Sequence, residues 1–245
     1  MDYDNFLEIV KTRRSIRRFK PDPVPDEDIR KIIEAARWAM SGANGQPWEF
    51  IIVKSPDIRL KIAEFMRDHH NFSYYFEKSR IPEMRHPGGA IERHGLPTFK
   101  DAPVMMVIAG DPRTYQATVL GHQFRAFDGS VFHMNMGNVA MLVNLAACAL
   151  GLGSAWISIS PSTDSRLIQL LDIPDYFKIY TIVPIGYPAY KPPETRRRNA
   201  DELMHWDKYD KNKFRTNEQV DEFLLSLRKH TRPAYDLKEA KSGPV

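Results

Sequence analysis

The 245-residue chain carries two short arginine runs, Arg13-Arg14-Ser15-Ile16-Arg17-Arg18-Phe19 near its start and Arg196-Arg197-Arg198 near its end. Several guanidinium groups held close together suit a phosphate, because each offers donors in a fixed fork. The same runs suit nucleic acid, and most such clusters are only solvated faces. Two other segments are rich in small and polar residues. Ser41-Gly42-Ala43-Asn44-Gly45-Gln46-Pro47-Trp48 is a loop by composition. Gly151-Leu152-Gly153-Ser154-Ala155-Trp156-Ile157-Ser158 is followed by Pro184-Ile185-Gly186-Tyr187-Pro188, just ahead of the second arginine run.

Missing motifs narrow the chemistry. There is no phosphate-binding P-loop, and Gly151-Leu152-Gly153 follows a helical segment and lacks the third glycine of a dinucleotide fingerprint. No Gly-x-Ser-x-Gly elbow occurs, and no Cys–His arrangement suggests a nucleophile. Among the eight histidines, His69, His70, His86 and His94 fall in one stretch, but no His-x-x-x-His spacing or second cysteine accompanies them; no metal site is expected. A net charge of +4 and a pI near 9.0 permit an anionic partner without naming one. No nucleic-acid motif accompanies the arginines, and binding through them alone would be strongly salt-dependent.

The elements that must position these segments are legible from apolar spacing. Tyr3, Phe6, Leu7 and Val10 mark a helix over 3–12. A second follows Pro25, with Asp26, Glu27 and Asp28 in its first turn, Ile29, Ile32, Ile33 and Ala36 on its apolar face, and an end near Met40. Strands are expected at 48–53, 103–109, 154–159 and 178–186, and helices from Pro56 to about Arg67, over 130–150 and over 163–171. Residues 68–100 read as irregular, with Pro87, Gly88 and Gly89 among them, a length more typical of a functional lid than of a spacer. The class is α+β.

A hydrophobic content of 42% supports a sizeable core, and nothing divides the chain into independent domains. Gly129 to Thr163 contains no Asp, Glu, Lys or Arg and is long enough to span a bilayer. Asn135, Asn138 and Asn144 interrupt it and Gly151 and Gly153 break it, so it reads as a core helix followed by a buried strand in a soluble protein. The one cysteine, Cys148, sits in the apolar run 146–150 and suits a reducing cytoplasm; the acidic N-terminus has no signal-peptide pattern.

Taken in series, the segments resemble the FMN-dependent nitroreductase family. The likeness lies in the Arg-Arg-Ser-x-Arg-x-Phe opening, the Ser-x-x-Asn-x-Gln-Pro-Trp turn, the Gly-Leu-Gly-Ser-x-Trp strand, and Gly-Tyr-Pro followed by a basic tail. It covers residues 5–60 and 100–205. The resemblance implies one domain over 1–245 with a central, mostly antiparallel sheet flanked by helices. It implies an intertwined homodimer holding FMN between its chains, with a lid at 68–100 and an extended C-terminal arm at 188–245.

By the same resemblance Arg13, Arg14, Ser15, Arg196 and Arg198 hold the phosphate, and Arg17 stabilises the negative charge that reduction places on flavin N1 and O2. Met40, Ser41, Gly42 and Asn44 reach the ring from the partner chain, while Trp156, Ile157, Ser158 and Ile159 pass it near N5. Tyr74, Tyr75 and Phe99 are candidates for the pocket mouth. The implied reaction is ping-pong transfer from NAD(P)H through FMN to a nitroaromatic or quinone-like acceptor, with the chemistry at N5 rather than on a protein nucleophile.

Here the sequence departs from many members of that family, which carry Gly or Glu near this strand, where this chain has Ser158 and Ser160. A hydroxyl there could bond N5 and favour one-electron chemistry, which raises a reductive dehalogenase-like alternative. Against it, the lid lacks the Glu-x-x-x-Tyr pair that related deiodinases use to grip an amino acid. A flavin-binding protein without turnover is the other alternative.

Overall fold

The computed structural model describes residues 2–85, 95–116 and 130–231. His86, Pro87, Gly88, Gly89 and His94 of the expected lid, and Gly129 at the start of the uncharged run, lie outside them. The chain divides into two compact units, Met1–His69 with His94–Lys191 and His70–Arg93 with Pro192–Val245, where the sequence suggests one domain.

The first unit is built on a four-stranded antiparallel sheet. Strands β1 (Trp48–Val53), β2 (Val104–Gly110), β3 (Gly153–Ser154) and β4 (Lys178–Gly186) lie in the order β1-β2-β4-β3. Every residue of β2 is buried, as expected of a central strand covered on both faces. Helices α1 (Tyr3–Thr12), α2 (Asp26–Ala36), α3 (Pro56–Ser79), the short α4 (Arg113–Gln116), α5 (Ser130–Ala149) and α6 (Pro161–Leu170) accompany it. Ile62 and Met66 of α3 and Leu167 and Ile168 of α6 join Met105, Val107 and Ile182 in one core cluster. Ile29 and Ile32 of α2 and Met136, Val139, Ala140 and Val143 of α5 join Met106, Ile108, Val183 and Ile185 in the other.

Three elements differ from the sequence reading. Helix α2 stops at Ala36 rather than near Met40, because the Trp38 and Ala39 amides turn to the Ala35 and Ala36 carbonyls three residues back. Helix α3 runs on to Ser79, so residues 68–79 of the expected irregular stretch are helical. His69, His70, Asn71, Tyr74 and Tyr75 are modest helix formers, each costing only some tenths of a kcal/mol against alanine, roughly, and no Gly or Pro interrupts them. The expected strand over 154–159 shrinks to Gly153–Ser154 and a single bridge from Ile157 to Ile182. By contrast β1 and β4 have the expected bounds.

Val131–Ala149 of α5 meets the length and composition of a membrane span. Its face of Phe132, Met136, Val139, Ala140, Val143 and Ala147 is nevertheless packed into the core. The second unit contains the remainder of α3 together with α7 (Ala200–Leu203) and α8 (Asn217–Thr231), so its C-terminal part is loop punctuated by helix.

Burial pushes the His69 imidazole of α3 below its ordinary value. A histidine depressed in the folded state binds fewer protons there than when unfolded. Its stabilising contribution is full above the unfolded value of about 6.5 and falls as pH drops from there through the depressed folded value. The urea midpoint is expected to fall between pH 7.5 and pH 5.5, and His69→Gln to flatten that part of the profile. An unchanged slope in the variant would show that His69 is not the group responsible.

Candidate functional site

Backbone hydrogen bonds draw the first arginine run against the strand that follows Gly151. Ser15 forms a parallel bridge with Ser154, and the Ile16 amide donates to the Ser154 carbonyl at 2.8 Å. Farther along, Lys20 N–H donates to Tyr187 O at 2.9 Å, Ala189 N–H donates to Arg18 O at 3.1 Å, and Phe19 bridges Pro188. The arginine run, the Gly-Leu-Gly-Ser-x-Trp segment and Gly186-Tyr187-Pro188 thus form one assembly.

Glycine is required at two of its contacts. A Cβ on Gly153 would lie 2.8 Å from Ile16 Cβ, and one on Gly186 would lie 2.6 Å from Pro103 Cδ. Beneath the assembly Ser154 Oγ donates to Asn144 Oδ1 at 2.7 Å, and Asn144 Nδ2 donates to Ala140 O at 2.7 Å. This buried chain ties the strand to α5.

Arg13, Arg14, Ser15 and Arg17 are half-buried and Ile16 is buried between them. Arg14 Nη1 donates to the Lys11 and Arg13 carbonyls, closing the end of α1. Arg18 stacks on Tyr190, its guanidinium carbon 5.0 Å from the ring centre. Arg17 has no hydrogen bond, ion pair or ring contact among the described residues. Such a guanidinium, with no acid partner among the described residues, is available to an anion.

The second predicted segment is held differently. Gly42 N–H donates to Asn135 Oδ1 at 3.1 Å, and Asn138 Nδ2 donates to Met40 O at 3.0 Å. Ser41 Oγ accepts from Gln46 N–H at 3.1 Å, while Met40 and Asn44 are exposed. Ala43, Asn44 and Gln46 take φ of 52°, 52° and 45°, in the left-handed region that non-glycine residues avoid. The asparagine pair of α5 stabilises this strained turn.

Replacing Asn135 with alanine strips the Gly42 amide of its acceptor. The expected cost is about 1–3 kcal/mol if that amide stays unsolvated, with a disordered turn. Equal urea midpoints for wild type and variant would show that water replaces the amide.

Alternation along the strand decides which side chains look outward. Ile157 and Ile159 turn into the core, whereas Trp156 and Ser158 are exposed. Their backbones, not the isoleucine side chains, border the outer face. Ser160 caps α6: its Oγ accepts from Thr163 N–H at 3.3 Å and bonds Thr163 Oγ1 and Ser162 Oγ. Ser158 has no such duty among the described residues.

Phe99 is 6% exposed and belongs to the core, so it does not line a mouth; Pro97 sets a 3-10 turn that points its ring inward. Tyr74 and Tyr75 lie in the second unit on α3, ring against ring at 5.3 Å, with Lys78 over Tyr74. In that unit Arg196 Nη1 donates to Ser226 Oγ at 3.0 Å, and Arg198 pairs with Glu202 at 3.3 Å. Sequence reasoning missed Asn135, Asn138 and Asn144 as functional. Their spacing within an uncharged run was the available signal.

The sequence of residues 10–187 matches the model of the Nitroreductase family. A Methanothermobacter thermautotrophicus protein, provisionally named an NADH dehydrogenase/NAD(P)H nitroreductase, is 31% identical over 83% of this chain and 87% of its own. Iodotyrosine deiodinase 1 of Rattus norvegicus is 28% identical over 83% of this chain and 70% of its own. A solved oxidized iodotyrosine deiodinase, bound to FMN and 3-iodo-L-tyrosine, superposes with a TM-score of 0.66 at 21% identity, covering 83% of this chain and all of that one. With its arginine run, glycine contacts and clamped turn in one sheet-based unit, the chain belongs to the Nitroreductase family.

Proposed function

We propose that the chain binds FMN and works as an oxidoreductase that accepts reducing equivalents from NADH or NADPH and passes them to a nitroaromatic, quinone or similar electron-poor acceptor. The observation that carries this reading is Arg17, half-buried and without a partner among the described residues, set in a run bonded to the Ser154 strand. Bound flavin supplies the electron chemistry. The chain's part is to hold, orient and charge-stabilise it. Arg13, Arg14 and Ser15 receive the phosphate, Arg14 exchanging its contacts to the Lys11 and Arg13 carbonyls for a dianion. Arg17 would stabilise the charge that reduction places on N1 and O2, and Ser158 would offer a hydroxyl to N5.

A second copy of the chain completes this site. Tyr3, Phe6 and Val10 of α1 are 69%, 56% and 40% exposed, although their spacing makes a single apolar stripe. Met134 and Met141 of α5, with Trp38 and Met40, are exposed as well. Exposed apolar residues of this kind support an interface, and a symmetric partner would bring its Met40–Asn44 turn to the flavin. Sedimentation is expected to give a mass near twice the 28.3 kDa of one chain. A monomer that holds FMN would contradict the shared site.

Stopped-flow reduction by NADH and by NADPH tests the donor. Bound flavin is expected to be reduced faster than free flavin by at least one of them. If neither does so, transfer from a nicotinamide is wrong and a flavin-binding protein without turnover remains. One observation favours a second reading, reductive dehalogenation: Ser158 is the strand hydroxyl left available, since Ser160 is used as a helix cap. Halide release from 3-iodotyrosine by the reduced protein, reduced further by Ser158→Ala, would support it.

A further inference from the structure

Beside the proposed cofactor strand lies a group of aromatic side chains of which the flavin reading accounts for Trp156 alone. Tyr180 of β4 stands edge-on to Trp156, ring centres 5.2 Å apart at 66°, and His133 of α5 lies 6.3 Å from the same tyrosine. Ile179 and Ile182 on either side of Tyr180 enter one core cluster, while the Tyr180 ring packs against the other. It therefore emerges beside α5, from the part of β4 that precedes its pairing with β3.

The phenol end of Tyr180 lies over bare backbone. A Cβ added at Gly137 would stand 3.5 Å from its oxygen, an ordinary van der Waals distance, so the oxygen lies close over the helix backbone there. The ring is half-buried, yet the hydroxyl has no hydrogen-bond partner among the described residues. Tyrosines with buried rings ordinarily place the hydroxyl on a partner. Burial also pushes this phenol above its ordinary value, which keeps it protonated and able to donate. Trp156, 37% exposed, joins this group to the outer face that also carries Ser158.

Building on the oxidoreductase reading, we propose that Trp156, Tyr180 and His133 form the wall that selects the electron acceptor. The Tyr180 hydroxyl donates to an oxygen of a planar aromatic or quinone ligand lying against Trp156. The edge-on pair leaves the tryptophan face for stacking, and the phenol supplies the one directional contact, a pattern that sorts acceptors by the placement of their oxygens.

Tyr180→Phe removes only the hydroxyl and keeps the packing. The test is the ratio of kcat/KM for 1,4-benzoquinone to kcat/KM for ferricyanide, which has no ring or carbonyl oxygen to recognise, measured on the FMN-loaded protein. Losing one neutral hydrogen bond should lower this ratio about three- to tenfold, chiefly through the benzoquinone KM, while the dissociation constant for FMN stays within twofold. An unchanged ratio would overturn the proposal. So would a weakening of FMN binding by the same factor, since the phenol would then serve the cofactor. Failure of the underlying reading is separately visible: wild-type protein would then hold no FMN at all.

Discussion

Arg17→Gln is expected to leave oxidised FMN bound but to weaken the hold on its reduced, anionic form by tenfold or more. The size follows from the environment. A hydrogen bond to a charged group contributes about 1.5–3 kcal/mol, and Arg17 is half-buried with no acid among the described residues that would already have neutralised it. Glutamine keeps a donor and much of the length, so the loss reports charge rather than volume. For a two-electron couple each tenfold change is about 30 mV, so the midpoint potential should move down by about 30 mV or more. A potential within a few millivolts of wild type would mean that Arg17 does not face the charged edge of the ring.

Gly153→Val should have a comparably large effect by a different route. The first carbon of the new side chain would meet Ile16 Cβ and Cγ1 at 2.8 Å and Cγ2 at 2.9 Å. The strand cannot retreat freely, because Ser154 is tied to Asn144 on one side and to the Ile16 amide on the other. Overpacking of this kind costs about 1–3 kcal/mol. Its relief is to break the Ser15–Ser154 bridge and release the arginine run. Lower thermal stability together with loss of bound FMN is expected, with Ile16→Ala recovering part of both in the double variant. A valine that is tolerated with full FMN content would show that the run is held by something other than this contact.

The parts of the fold that could be read from sequence are those in which local pattern and tertiary demand agree. Strand β1 and strand β4 are apolar, bounded by turn residues, and lie where expected. The second half of α3 was not legible, because adjacent histidines and tyrosines neither favour nor forbid a helix strongly. Likewise β3 ends where the register sets Ala155 opposite Pro184, which has no N–H to donate, a property of register rather than of residues 154–159 themselves.

The candidate site divides in the same way. Arginines and glycines announce themselves by type, and the structure brings Arg13–Phe19, Gly153–Ser154 and Gly186–Pro188 together by backbone bonds. The residues that support them are polar groups hidden in apolar segments. Asn135 and Asn138 look like interruptions of a core helix, yet they hold the Met40–Asn44 turn. Tyr180 looks like one more β-former in a buried strand. Only its position over Gly137 and beside Trp156 shows a hydroxyl with nothing to bond among the described residues.

The most direct test of the account is the visible absorption spectrum of the purified protein, followed by identification of the small molecule released on denaturation. The prediction is a yellow protein with oxidised-flavin bands and FMN in the supernatant at about one per chain, as several guanidinium groups on one phosphate would ensure. A colourless protein that added FMN does not stabilise against heat would contradict it, leaving the arginine run and its glycine contacts without a flavin to bind.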